Sequence, residues 1–307
     1  MEKNPSLTPV YHIPALLPQA IQLLDIKPNG VYIDATFGGG GHSREILRNL
    51  GEKGRLFSFD RDMDAYQNRI EDTRFTFVHG NFRYIENFMR YYGVEKVDGI
   101  LADFGVSFHH FDTPERGFSF RTDAPLDMRM NQASSITAAS LIAESSENDI
   151  ISILKAYTDL KRPAQVAKAI TRVKEKGELT TTGELAEAVK GAIDPRMEKK
   201  ELAQIFQAFR IAVNGEAEDL AAFLQATLKV LREGGRLVTL TYHSMEDRMV
   251  KNFMKTGNIE GKEEKDFYGN LSTRWKLITR KPIEPTAEEV EQNPRSRSAR
   301  LRAAELI

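Results

Sequence analysis

The chain has 307 residues, 41% hydrophobic and 28% charged, a globular composition sufficient for one large domain or two. A formal net charge of −1 excludes a global basic field, so any nucleic-acid contact must come from local clusters. With no cysteine there are no disulfides and no thiolate metal sites. The N-terminus has no apolar signal-peptide core and no run approaches a membrane span, so the expectation is a cytoplasmic protein without metal or membrane partner.

In chain order, Tyr11-His12-Ile13-Pro14 precedes an amphipathic helix over Leu16–Leu24, and His12 is either a ligand-facing or a structural histidine. Val31–Ile33 is a β-branched, apolar strand that ends in Asp34. It passes through four consecutive glycines, Gly38–Gly41, into a helically spaced segment, Ser43–Leu50. Strand, glycine turn and helix N-terminus bring backbone close to a nucleotide-like ligand, and a side chain in the turn would occupy the ligand's space. The next strand, Arg55–Asp60, also ends in an acid, where a carboxylate accepts from ribose hydroxyls. The NAD spacing G-x-G-x-x-G fails, since Ser43 or Arg44 stands where the third glycine belongs. A P-loop fails because no Gly-Lys-Ser/Thr follows. An acid-flanked glycine turn with no lysine for a phosphate suits a cationic, phosphate-free ligand, and S-adenosylmethionine (AdoMet) is one.

Arg74–His79 alternates as a third strand, followed by Phe82, which can lie against an adenine ring or belong to the core. Glu86–Tyr92 is helical. Val97–Asp103 is near-continuously apolar, as a central parallel strand should be, and it too ends in an acid. Acids ending the first, second and fourth strands at one edge put carboxylates where open α/β sheets bind ligands. The stretch Phe104–Met130 has neither helical nor strand periodicity. Its aromatics (Phe108, Phe111, Phe118, Phe120) alternate with Arg116, Arg121 and Arg129, a mixture suited to an extruded base or to a self-packed loop.

From Ser134 to about Asn214 every pattern is helical. Asp149–Tyr157 has one apolar face, and a helix opens at Pro163 and is capped by Gly177. Thr181 and Glu184 form a capping box, and Leu202, Phe206, Phe209 and Val213 mark a further helix. The cations Lys161, Arg162, Lys168, Arg172, Lys199 and Lys200 either meet phosphates or form a solvated face. The α/β pattern then resumes with a helix from Leu220 to Leu231 that stops at Gly234-Gly235, and a fifth strand, Arg236–Tyr242. His243 follows at the strand end, and Ser244 and Asp247 have capping-box spacing. Ser272–Arg280 is a late strand, and Asn293–Arg302 is a basic tail, either solvated or touching RNA phosphates.

The motifs YHIPALL, DATFGGGGHS, FDRD, DFGVS, ERGFSF, APLDMRM, FQAFRIAVN, YHSMEDR and NPRSRSARLR stand in order from Tyr11 to Arg302. In these the sequence resembles the bacterial 16S ribosomal RNA cytosine-N4 methyltransferases of the MraW/RsmH type. The resemblance implies a class I AdoMet-dependent methyltransferase fold, Rossmann-like and mostly parallel, over residues 1–113 and 214–307. A helical substrate-recognition domain, 114–213, is inserted in it.

It further implies AdoMet contacts from Gly40, Gly41, His42, Asp60, Phe82 and Asp103, and from His110, which stands where the family has a glutamine. Methyl transfer to N4 of a decoding-centre cytidine in the small subunit is the expected reaction, with a homodimer compatible. Asp103 is the nearest candidate for catalysis by position. Arg116, Phe118, Phe120, Arg129 and His243 are the candidates for handling the RNA. Departures from the family pattern fall at Ser107–His110, at Arg121-Thr122-Asp123-Ala124 and at Glu201–Gln204. A divergent relative with another RNA target and a non-catalytic AdoMet-binding assembly factor are the alternatives.

Overall fold

A computed structural model of the chain describes residues 14–105, 113–177, 179–265, 267–269 and 273–307. His12, Phe108, His109, His110 and Phe111 lie outside the described residues. In chain order the elements begin with helix α1 (Leu17–Leu24), strand β1 (Val31–Asp34), α2 (Gly41–Asn49), β2 (Arg55–Asp60), β3 (Phe75–His79), α3 (Ile85–Tyr91) and β4 (Val97–Asp103). Helices α4 (Ala138–Glu144), α5 (Glu147–Tyr157), α6 (Pro163–Lys174), α7 (Thr182–Val189) and α8 (Glu198–Asn214) follow. The remainder is α9 (Glu216–Val230), β5 (Leu231–Thr241), α10 (Ser244–Thr256), β6 (Trp275–Leu277), α11 (Ala287–Gln292) and β7 (Arg300–Leu306).

Two compact units result, Met1–Gly105 with Leu220–Ile307, and Val106–Asp219. The second boundary falls inside α9, where helical periodicity carries no signal of it.

The first unit is built on one sheet in the order β3-β2-β1-β4-β5-β7-β6, with β7 antiparallel to both neighbours. After β1 the chain steps outward to β2 and β3, then returns to the other side of β1 for β4. The direction of winding thus reverses between β1 and β4, and the crevice beyond their carboxyl ends is where such sheets take ligands. Alternation along the strands fills both faces. Ile33, Phe57, Phe59 and Ile100 pack with Phe223 and Phe253 on one face, and Tyr32, Leu56, Leu101 and Leu240 with Leu16 and Ile46 on the other. These residues have essentially no exposed surface, and each contributes about 1.5–3 kcal/mol.

Several expectations need correction here. The basic tail is not wholly a solvated arm: Pro294–Ser298 forms a 3-10 turn on which Arg295 and Arg297 are exposed, and Arg300–Leu306 is an inner strand of the sheet. Arg302 is buried and reaches Asp247 through two contacts, Nε to Oδ1 at 2.7 Å and Nη2 to Oδ2 at 3.1 Å. Asp247 is therefore spent on β7 rather than on a capping box with Ser244, and the N-cap of α10 is His243. Strand β5 starts at Leu231, ahead of the two glycines, and β6 is only three residues long. In the second unit, α6 ends at Lys174, three residues before Gly177.

The second unit has its own core, with Ile150, Leu154, Val166, Ile170, Leu185, Phe206 and Phe209 buried together. The faces are those read from the helical spacing. Thr181 caps α7 through Glu184 in the reciprocal box, and further boxes at Thr137/Ser140 and Ser146/Asp149 start α4 and α5.

Candidate active site at the carboxyl edge of the sheet

The glycine turn is held to β2 by its own amides. Phe37 N–H donates to Phe59 O at 2.8 Å, and Gly38 N–H to Asp60 Oδ2 at 2.8 Å. Gly38 (φ 51°) and Gly40 (φ 75°) take the left-handed conformation, which glycine adopts without penalty. A Cβ on Gly40 would meet the Phe37 ring, and one on Gly41 would strike the Pro14 ring. At these two positions the chain's own packing excludes a side chain, whereas a Cβ on Gly38 would meet no protein atom within 4 Å. Helix α2 begins at Gly41, so the first-turn amides of Gly41, His42 and Ser43 have no earlier helical carbonyl to bond.

The three strand-end acids have diverged in role. Asp34 has no exposed surface. Its Oδ2 accepts from Ser43 Oγ at 2.6 Å and its Oδ1 from Thr36 N–H at 3.1 Å. Burial raises its pKa, and the nearby His42 opposes the rise. Asp34 thus braces the turn and offers nothing to a ligand.

Asp60 receives Gly38 N–H on one oxygen and Asp62 N–H, at 2.8 Å, on the other. An ionised carboxylate retains lone pairs beyond these two. Burial pushes it up to about 6, against those same two amides.

Asp103 ends β4 with its side chain 21% exposed and its Oδ2 3.9 Å from His42 Nδ1. Its backbone N–H donates to Thr36 Oγ1 at 2.7 Å, tying β4 to the residue just past β1. Burial lifts the carboxyl to about 6, while the Tyr242 hydroxyl and the Gly105 amide favour its charged form. The Tyr242 phenol is in turn raised well above its ordinary value by burial and by Asp103. Burial lowers the His42 imidazole, so it stands neutral.

Among the described residues Asp103 Oδ1 and His42 Nε2 are buried without a hydrogen-bond partner. Buried polar atoms are rarely left so unless something else satisfies them. Phe82, a half-buried residue just past β3, sits edge-on to Phe104 (centroids 5.8 Å apart) and Phe223 (5.3 Å), presenting an aromatic wall at the same edge.

A family model described as the MraW methylase family matches residues 9–307. The chain belongs to the MraW methylase family. This methylase is 54% identical over 296 residues to a protein of Phocaeicola vulgatus named Ribosomal RNA small subunit methyltransferase H, covering 96% of this chain and 97% of that one. A Bacteroides thetaiotaomicron protein of the same name is 53% identical over 305 residues, covering 99% of each chain. The sheet and its helices are the Rossmann-like methyltransferase fold expected from the sequence. AdoMet fits the residues present. The donor set is carboxylates and backbone amides, suited to hydroxyls and a cation, and two orphaned polar atoms stand at the winding reversal.

The loop residues of this methylase behave differently from the cofactor set. Arg116 is buried, and its Nη2 donates to the carbonyls of Arg129 and Met130, each at 3.0 Å. Phe118 is 5% exposed, and Phe120 packs on Phe206 with centroids 5.4 Å apart. Arg129 is held by Asp127, with Nη2 to Oδ2 at 2.6 Å, and by the Ser134 carbonyl at 2.5 Å. All four hold the loop's shape. The departure at Arg121–Ala124 lies where this loop bonds α7: Gly183 N–H donates to Asp123 Oδ1 at 2.9 Å and Ala124 N–H to Thr182 Oγ1 at 3.1 Å.

His243 belongs to the first unit, with its Nε2 2.7 Å from Glu246 Oε1. Glu246 and Tyr242 were not singled out by sequence reasoning. The i, i+3 spacing of His243 and Glu246 across a helix start was the available signal.

Proposed function

We propose that this methylase transfers a methyl group from AdoMet to the exocyclic N4 of a cytidine in the decoding centre of 16S rRNA. Support comes first from Asp103 Oδ1 and His42 Nε2, buried at the winding reversal of a methylase fold and without a hydrogen-bond partner among the described residues. The relatives' name, which specifies small-subunit ribosomal RNA, agrees with it. AdoMet, when bound, supplies the methyl group as an electrophile on sulfur.

In this reading Asp60 takes the ribose hydroxyls, Phe82 lies along the adenine, and the first turn of α2 (with Gly40, Gly41 and His42) meets the cofactor's polar end. Asp103 orients the donor. The lone pair of N4 is conjugated into the cytosine ring, so alignment and an acceptor for its proton are the main requirements. On the helical unit, Lys161, Arg162, Lys168, Arg172, Lys199 and Lys200 are exposed and suited to phosphates. Arg116, Phe118, Phe120 and Arg129 serve the RNA by shaping the loop. The protein acts in the cytoplasm.

The test is incubation of the purified protein with AdoMet and small subunits from a strain lacking the enzyme, followed by nucleoside mass spectrometry. N4-methylcytidine, with or without ribose methylation, is the expected product. A methyl group on any other nucleoside, or none with AdoMet bound, overturns the reading.

A further inference from the structure

The proposal above leaves one buried ionisable pair without a task. Strand β5 runs out at Thr241, Tyr242 follows, and His243 is the N-cap of α10. Three residues on, Glu246 lies on the first turn of that helix with 4% of its surface exposed. One of its oxygens, Oε2, accepts the Tyr242 N–H at 3.1 Å, and the other, Oε1, stands 2.7 Å from His243 Nε2. The His243 side chain is 11% exposed, and neither of its ring nitrogens has an aligned hydrogen-bond partner among the described residues. Catalytic hydrogen bonds are often out of line before substrate arrives and tighten in the complex.

Glu246 acts on Asp103 and on Tyr242 as well as standing against the imidazole. Asp247, next in the chain, is neutralised by Arg302 at 2.7 Å and Arg300 at 3.3 Å, both from β7. Asp103 on β4 and Glu289 on α11 act on Tyr242. A helix start needs only one acceptor for the Tyr242 N–H, so capping explains one oxygen of Glu246 and leaves the other unexplained. Asp103 pairs in register with Leu240, three residues before His243, so the imidazole sits at the same edge as the acid that ends β4.

We infer that His243 and Glu246 form the proton-accepting dyad for methyl transfer to the exocyclic amine; the inference rests on the N4 reading above. Glu246 is a positioning residue. Its Oε1 holds the proton on Nε2, which leaves Nδ1 bare as acceptor. The N4–carbon bond forms as the carbon–sulfur bond of AdoMet breaks, and that bond's electron pair leaves with sulfur. The amine nitrogen, now carrying an extra bond, gives one proton to Nδ1. The resulting imidazolium faces the Glu246 carboxylate until it returns the proton to water. The logic is that of a histidine base held in one tautomer by a carboxylate.

Glu246→Gln tests this, because the amide oxygen can still accept from Tyr242 N–H while the amide nitrogen donates to His243 and reverses its tautomer. The expected result is a fall in kcat of about 10²-fold or more, with KM for the subunit, AdoMet affinity and Tm within about threefold or a degree of wild type. Nitrogen-15 NMR of labelled histidine should show the His243 proton on Nε2 in the wild type and on Nδ1 in the variant. Glu246→Asp should retain part of the rate that Glu246→Gln loses. A Gln variant with wild-type kcat, or a wild-type ring protonated on Nδ1, overturns the dyad. Wild-type protein that methylates an atom other than N4 overturns the N4 reading itself, and the mass spectrum distinguishes that failure from the others.

Discussion

Asp103→Asn separates the cost of the site from its use. In the folded protein burial holds the Asp103 carboxyl at about 6, above its ordinary 3.8, despite the Tyr242 hydroxyl and the Gly105 amide. That displacement is worth about 3 kcal/mol at about 1.36 kcal/mol per pH unit. The folded state holds this proton more tightly than the unfolded chain does. Its contribution to stability is therefore fully present below about pH 4 and lost as the pH rises through about 6. Asparagine is a close mimic of the protonated acid and carries no charge at any pH. The variant should melt with the wild type near pH 4 and be more stable above pH 7 by up to about 3 kcal/mol, or about 6–12 °C. Scanning calorimetry of the cofactor-free protein between pH 4 and 8 measures the difference directly. Turnover should be abolished in the same variant. A stability difference that is flat with pH, or of opposite sign, would refute the account of Asp103 as a charge buried for the ligand's benefit.

AdoMet binding should weaken as the pH falls through about 6, because Asp60 and Asp103 both take up protons there. Calorimetric titrations from pH 5 to 8 should show about tenfold loss per pH unit for each proton coupled, and a flat profile would remove both acids from the site. Arg302→Ala should cost up to about 3 kcal/mol in denaturant unfolding, because it leaves buried Asp247 only the more distant and more exposed Arg300 at 3.3 Å. The double change Asp247→Leu with Arg302→Met should recover most of that, and failure to recover would mean the pair has a task beyond balancing charge. Phe118→Ala should destabilise by about 3–5 kcal/mol, since the ring is 5% exposed. An unfolding curve matching wild type, with impaired RNA turnover alone, would make it a contact residue.

The legible parts of the fold were those set by short-range pattern. The apolar runs ending in Asp34, Asp60 and Asp103, the glycine turn, Pro163 at a helix start and the Thr181/Glu184 box all have local causes, and each lies within about a residue of where the spacing put it. The illegible part was Arg300–Leu306. Its arginines read as solvated because burial of Arg302 depends on Asp247, which is 55 residues away and on another element. No window of sequence contains both partners. Nor could the sequence show that Gly41 has no room for a side chain because of Pro14, a neighbour brought there by folding.

By itself the sequence determined the order of strands and helices, the acids at three strand ends and membership of a methylase family, because these follow from periodicity, capping and local motif. Only the tertiary structure decided what those acids do. Asp34 became a brace when Ser43 folded against it, whereas Asp103 kept one oxygen without a hydrogen-bond partner among the described residues. It also decided that His243 stands against Glu246 and that Asp247 stands against Arg302, adjacent carboxylates with different partners. Charge in a protein interior takes its role from what is packed within a few ångströms of it, and that is set by the whole chain.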